Sequence, residues 1–415
     1  MPKSYTVIGS SAAGLSAIKN LRQIDPECQI NLISADDLPS TNKCHWVDYA
    51  LGNKSKEQLL ICTYEFITNY KVNYLKAKIV KLDPDSNILF DSVGQTYKYE
   101  KLIIACGLEP NQITLPNCYN LASYADIENL QFVKDKNIGS AVIIGTGLTG
   151  LEFSDVLKQY LSASSKNKQL INQPEFGDFA DSLPAANPLH VITQDLSTHY
   201  LAKNSPVITL IDKQHIPLAQ LLSDAAGQFI INKLAQNNIN FSGNCQSIPP
   251  ADIYLNATGG RPQGWLNVLN NQNCYLLVDQ YMRTNYPNIW AAGDCVMVPD
   301  KRTNQPVPST LWPDAILQGA VAGQAAAGLQ TKTYSGVMPI CSSSFADVRF
   351  AVVSHQPLLG LYELKLQVQH NNEDYLELYT HNDRLMAYTL IGQCTQAALL
   401  KRLILTGESV PELKL

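Results

Sequence analysis

The chain has 415 residues, 45% of them hydrophobic, with 31 Lys and Arg against 36 Asp and Glu and a formal net charge of −5. That length exceeds what one core usually serves and predicts two or three domains, while the mild acidity argues against a nucleic-acid partner and leaves room for a local basic docking patch. No apolar run approaches the ~18 residues of a membrane span, and the N-terminus lacks the pattern of a signal peptide, so a cytoplasmic protein without membrane contact is expected.

The first element is a strand, tight turn and helix, YTVIGSSAAGLSAIKNL at 5–21, followed by a second strand at 30–34. This is the β-α-β pattern in which a Gly-x-Gly-x-x-Gly turn lets backbone approach a pyrophosphate at a helix N-terminus. Here the turn runs Gly9, Ser10, Ser11, Ala12, Ala13, Gly14, with Ser11 in the middle glycine position. Taken alone it is equally an unliganded strand-turn-helix. Next comes LIIACGLEPN at 102–111, a strand ending in Ala105 and Gly107.

A second turn follows, SAVIIGTGLTGLEFSDVL at 140–157, with Gly145, Gly147 and Gly150 ahead of an amphipathic helix. Two such turns in strand-turn-helix context argue for two dinucleotides. The acidic residue that takes a ribose 2′-hydroxyl normally follows by about 20 residues, yet the next strand, VITLIDKQ, brings Asp212 far later. The intervening residues 162–205 are polar and punctuated by proline, an insertion of a length that serves as a surface excursion or as a lid or partner site. Downstream, IYLNATGGRPQ at 253–263 places Gly259 at a strand end, and MRTNYPNIWAAGDCV at 282–296 runs a strand into Gly293 and Asp294. A small-residue helix at 311–328 opens on Trp312, and residues 331–415 alternate as strands before a final helix at 395–407.

In this order the turn, A-x-G-x-x-P, second turn with its following Glu152, A-T-G and PNI-x-AAGD segments resemble the FAD-dependent pyridine nucleotide-disulfide oxidoreductase superfamily over nearly the whole chain. The resemblance implies an α/β fold with two Rossmann-like dinucleotide-binding domains, for FAD and NAD, and a small C-terminal α+β domain. The FAD domain would be discontinuous, 1–115 and 258–330; the NAD domain would cover 116–257 with the 162–205 insertion, and the C-terminal domain 331–415. Gly9, Ser10, Ser11, Ala13, Gly14, Ser34, Asp36, Ala105, Gly107, Gly259, Gly293, Asp294 and Trp312 would line the FAD. Gly145, Gly147, Gly150 and Asp212 would hold the nicotinamide cofactor. Asp212 favours NADH over NADPH, because a 2′-phosphate would meet like charge.

Within the superfamily the chain is similar to rubredoxin reductases and to the reductase that feeds flavorubredoxin. Lys43 in SADDLPSTNKC, residues 34–44, falls on their lysine, although Thr41 and Cys44 replace the aromatic and the proline of that segment. An ammonium there would help hold the flavin and tune hydride acceptance, and the resemblance pairs it with Glu152. The implied activity is NADH oxidation through FAD to a small rubredoxin-like redox protein. A second resemblance, to NADH oxidases, NADH peroxidases and CoA-disulfide reductases, makes Cys44 a redox thiol instead. A third possibility is a flavin or nucleotide binder without turnover. The ten cysteines form no CxxC pair or metal-ligand spacing, so no metal is expected and most should be small buried hydrophobes. The short C-terminal domain favours a monomer over a homodimer. The electron acceptor, the redox status of Cys44, the role of the insertion and the oligomeric state stay open at this level.

Overall fold

A computed structural model describes residues 3–131, 133, 138–168, 207–269 and 275–411; most of the 162–205 insertion, from 169 on, lies outside these. The chain begins with β1 (Ser4–Ile8), α1 (Ala12–Ile24) and β2 (Gln29–Ser34), then the short α2 (Trp46–Ala50), β3 (Val72–Lys76) and β4 (Lys101–Ile104). Strands β4, β1, β2 and β3 lie side by side and parallel. Tyr5, Val7, Ile8, Leu32, Ile33, Ile103 and Ile104 are all buried, as the strands of a parallel sheet covered on both faces must be.

The second sheet repeats the design. Its elements are β5 (Cys118–Asn120), α3 (Tyr124–Gln131), β6 (Ser140–Ile144), α4 (Leu148–Lys168), β7 (Val207–Ile211), α5 (Asp224–Gln236), β8 (Ile239–Ser242) and β9 (Ile253–Asn256). The strands are parallel in the order β5-β9-β6-β7-β8. An antiparallel ribbon, Leu108–Pro110 against Gly260–Pro262, connects the two sheets where both A-x-G segments leave their strands.

The chain then returns to the first sheet, where β10 (Ile289–Ala291) adds beside β4 and α6 (Trp312–Ala327) packs on α1. The helix seam is made of backbone. A Cβ on Gly319 would stand 2.1 Å from the Ala13 carbonyl oxygen, and one on Gly323 would stand 2.5 Å from that of Ala17. Two helices carrying larger residues at these positions could not approach so closely.

The C-terminal segment forms an antiparallel sheet of β11 (Ile340–Phe345), β12 (Val348–Val353), β13 (Lys365–His370), β14 (Tyr375–His381) and β15 (Arg384–Ile391), in the order β11-β12-β15-β14-β13. One face, with Ala351, Val353 and Leu376, packs on Leu400 and Leu403 of α7 (Ala397–Thr406). The other, with Phe345, Phe350 and Val352, merges with the core of the second sheet. Alternation of the two apolar faces along each strand is the physical origin of the period-two pattern in this segment. Among the described residues no helix is long and apolar enough to cross a membrane.

Candidate active site

The two glycine turns superimpose in their hydrogen bonding. The Gly9 amide donates to the Ile33 carbonyl at 2.9 Å, and the Gly145 amide to that of Ile211 at 2.9 Å. Gly9 has φ +107° and Gly145 φ +98°, and a Cβ on either would strike the backbone oxygen of Ala105 (2.1 Å) or Ala257 (2.6 Å). Only glycine fits such a position. Gly14 and Gly150 close the helices onto the turns, each leaving 2.0–2.1 Å between a notional Cβ and the oxygen of the first glycine. Above the middle position the second turn is open, since nothing lies within 4 Å of a Cβ on Gly147.

At the first turn, Ser11 is the N-cap of α1 and its hydroxyl makes no capping bond. The first amides of that helix therefore keep their donors for an outside acceptor, and an anion at a helix N-terminus is stabilised by those donors and by the dipole. The first cradle thus fits a pyrophosphate, with small or absent side chains on the approach and free amides at the end, and the second shares its open approach over Gly147.

The strand ends beside the turns differ. Asp212, just past β7, accepts hydrogen bonds from the Thr146 amide (2.8 Å) and hydroxyl (2.7 Å) and from the Gln214 amide (3.0 Å). The matching residue after Ile33 is Ser34, whose hydroxyl meets that of Ser10 at 3.0 Å and receives the Asp36 amide at 3.3 Å. Beside Asp212, a cavity of about 400 Å³ is lined by Lys213, Asn244, Cys245 and Gln246. Gly107 and Gly259 both take positive φ with open space where a Cβ would be. Gly293 donates to the buried Gln318 of α6 at 2.8 Å. Trp312 is half-buried at the start of α6 and packs against the first core.

Between the sheets sits the segment that carries Lys43 and Cys44, a single 3₁₀ turn capped by the Asn42 side chain. Thr41, in place of an aromatic, accepts a 3.0 Å hydrogen bond from the buried Trp46 indole, and Tyr160 of α4 donates to the Ala50 carbonyl at 2.7 Å. These contacts seat α2 against the second core. Lys43 is exposed, donates to the Ala122 carbonyl at 3.3 Å and lies 5.3 Å from the centre of the Trp46 ring. Its charge lowers the Asp294 carboxyl, although burial outweighs it and leaves that group above its ordinary value.

The expected Lys43–Glu152 ion pair is not formed. Glu152 instead accepts from the Ser343 hydroxyl of β11, and the neighbouring Asp155 accepts from the Ala346 amide at 2.7 Å. Burial pushes the Glu152 carboxyl up; Ser343 draws it down, and Asp48 and Asp155 raise it again. The physical reason lies in the third sheet: its first hairpin lies against α4 and offers neutral donors closer than the lysine. Sequence reading missed Ser343 because a serine on an edge strand carries no motif.

Cys44 is exposed as a residue, yet partial desolvation and then the carboxylates of Glu152 and Asp294 hold its thiol above the ordinary value. His45, the neighbour that could have activated it, pairs with Asp48 at 3.6 Å. A backbone hydrogen bond draws the thiol down without offsetting burial and the carboxylates. Of the other described cysteines, 28, 62, 295 and 341 are buried and 106, 118, 245 and 394 half-buried, all as free thiols.

The family model described as pyridine nucleotide-disulphide oxidoreductase matches residues 3–249 and 244–319. The NADH-dependent phenylglyoxylate dehydrogenase subunit epsilon of Aromatoleum evansii is 28% identical over 355 residues, covering 82% of this chain and 76% of its own. The rubredoxin-NAD(+) reductase of Acinetobacter baylyi is 26% identical over 312 residues, covering 70% of this chain and 72% of its own. In fold, the NAD-dependent persulfide reductase of A. fulgidus is similar with a TM-score of 0.78 at 18% identity, over 98% of this chain and 77% of that one.

Proposed function

The chain belongs to the pyridine nucleotide-disulphide oxidoreductase family, which makes it an NAD(P)H-dependent flavoprotein oxidoreductase, and from that premise we propose that it oxidises NADH through FAD and delivers the electrons to a small redox protein of the rubredoxin class. The observation that carries this reading is the state of Cys44. A redox relay needs a thiolate, and thiolates form where cations or helix N-termini lower the thiol. Here burial and two carboxylates raise it, and the adjacent imidazole is engaged elsewhere.

The residues divide the work. The first turn, with Gly9, Ser10, Ser11, Ala13 and Gly14, would hold the FAD pyrophosphate, backed by Ala105 and Gly107. Asp294 would take hydroxyls of the flavin side chain, with Lys43 supplying positive charge beside it. The second turn and Asp212 would hold NADH, where a 2′-phosphate would face a carboxylate already fixed by three donors. A bound flavin supplies the conversion of one hydride into electrons passed on singly. The protein's part is to position the two nucleotides and, through burial and the carboxylates of Glu152 and Asp294, to hold the Cys44 thiol above its ordinary value. The rubredoxin reductase among the relatives supports a protein acceptor.

The persulfide reductase likeness keeps one rival in view, a Cys44-dependent reductase. Anaerobic titration of the flavin-loaded protein with NADH separates the two. Full reduction at about one NADH per flavin, unchanged in Cys44→Ser, is expected. Consumption of a second equivalent that the serine variant abolishes would overturn the reading in favour of a thiol relay.

A further inference from the structure

Residues 354–356, just past β12, are held from two sides. On one, Arg302, in the hairpin that pairs Val296–Pro299 with Pro306–Pro308, donates to the Ser354 carbonyl at 2.7 Å and the Met386 carbonyl at 3.0 Å, while its buried ion pair with Asp300 closes at 2.6 Å. On the other, the Gln356 side chain donates to the Leu222 carbonyl at 3.3 Å and the Ser354 hydroxyl to that of Gln220 at 3.4 Å. Next to these, Ser223, the N-cap of α5, donates at 2.5 Å to Glu377 of β14. That carboxylate is fully buried and also accepts from Tyr375 at 2.6 Å and Tyr379 at 2.9 Å. The same stretch reaches the second glycine turn, because the Leu222 amide donates to the Leu218 carbonyl at 3.0 Å and the Leu218 amide to that of Thr146 at 3.1 Å.

His355 stands at the centre of this junction. It is 7% exposed and lies flat on Tyr379, with ring centres 4.3 Å apart and planes 5° from parallel. Its Nδ1 is buried and meets no hydrogen-bond partner among the described residues. A neutral ring can leave a lone pair there, whereas a protonated ring donates from both nitrogens and would bury a charged N–H without an acceptor. The titratable groups on the surrounding elements are Glu377, Tyr375 and Tyr379 of β14, Arg302 and Asp300 of the hairpin, Tyr362, and, beyond Tyr375, the Lys233–Glu373 pair at 2.6 Å. Residues 216–223 bring none. Arg302 already places positive charge on the adjacent residue, and the oxygens of Glu377 are engaged by three hydroxyls. We propose that His355 is a pH-sensitive switch: when Nδ1 takes up a proton, residues 354–356 let go of residues 220–223, and the second turn loses the support that Leu218 gives Thr146. Burial lowers the proton affinity of the imidazole; Glu377 opposes this and Arg302 adds to it. The stability contributed by the neutral ring is therefore present above the ordinary histidine value of 6.5 and is lost as pH falls below it.

The test is hydrogen exchange of the flavin-loaded full chain without NADH between about pH 7.5 and pH 5, read by mass spectrometry on peptides covering 216–223 and 354–358 and corrected for intrinsic rates. Uptake of one proton makes opening more frequent by up to about tenfold per pH unit. In His355→Phe, which keeps a ring on Tyr379 and cannot titrate, that increase should be absent; His355→Gln serves where the phenylalanine variant fails to fold. The effect on coenzyme rests on the reading that the second turn holds NADH, and there the parent should lose NADH affinity in acid relative to the variant. The switch is overturned if parent and variant respond alike, or if exchange in the parent slows in acid, as it would were the imidazolium to turn onto Glu377 and tighten the junction. Faster exchange with unchanged NADH affinity overturns the link to the second turn. A chain that binds no NADH at any pH refutes the coenzyme reading and leaves the exchange result standing.

Discussion

The first and second turns share one backbone and differ in charge. Gly9 and Gly145, Ala105 and Ala257, Gly14 and Gly150 occupy matching places with matching hydrogen bonds. Where the second turn has Asp212 the first has Ser34, and seven residues past the first glycine the second helix has Glu152 where the first has Ser16. Both of the latter reach outward, Ser16 to the Ile316 carbonyl of α6 at 2.7 Å and Glu152 to Ser343 of β11. Geometry is therefore common to both cradles, and electrostatics distinguishes them: the second is built around carboxylates, the first around hydroxyls.

The shared geometry predicts the largest effects. Gly9→Ala and Gly145→Ala each combine positive φ with a clash onto a backbone oxygen, and should cost about 3 kcal/mol or more of stability by the sum of those penalties. Thermal denaturation checks this, and a variant that melts with its parent would break the claim that backbone contact fixes the turns. The difference in charge predicts the next. Asp212→Ala removes a charged acceptor worth roughly 1.5–3 kcal/mol, so affinity for NADH should fall by about ten- to a hundredfold, with discrimination against NADPH reduced. Steady-state kinetics with both nucleotides measures it. Ser34→Ala, the matched change in the first turn, loses a neutral hydrogen bond of about 1 kcal/mol, roughly fivefold in flavin affinity by fluorescence titration. Equal losses at Asp212 and Ser34 would erase the contrast.

Glu152→Gln gives the smallest effect and sharpens it. A carboxyl raised above 4.5 by burial binds its proton more tightly folded than unfolded, so its contribution to stability falls as pH rises above that value. The glutamine variant should match the parent in acid and melt higher at neutral pH. A parent whose stability rises more steeply than the variant's over that range would contradict the desolvation that dominates at this site.

The glycine turns were legible in the sequence because a positive φ or a missing Cβ leaves a residue type that cannot be exchanged. The parallel strands were legible from unbroken apolar runs, and the last sheet from alternation. Partner choice was not. Glu152 stands where the resemblance put it, on the helix after the second turn, yet its partner comes from a hairpin nearly two hundred residues away that no spacing rule connects to it. Residue type encodes what the backbone requires locally; which charge meets which neighbour is decided by how three sheets are stacked.

The seam between α1 and α6 has a consequence for biosynthesis. The second sheet is complete once residue 256 has left the ribosome, but the first lacks its edge strand β10 until 291 and its covering helix until 327. At about 5–20 residues per second, the half-built N-terminal sheet waits on the order of ten to forty seconds between the emergence of β4 and the arrival of α6. During that interval the Ala13–Ala17 face of α1, later sealed by glycine backbone, is apolar surface with nothing to cover it, and the second domain in turn waits for Phe345, Phe350 and Val352 of the third sheet to complete its core.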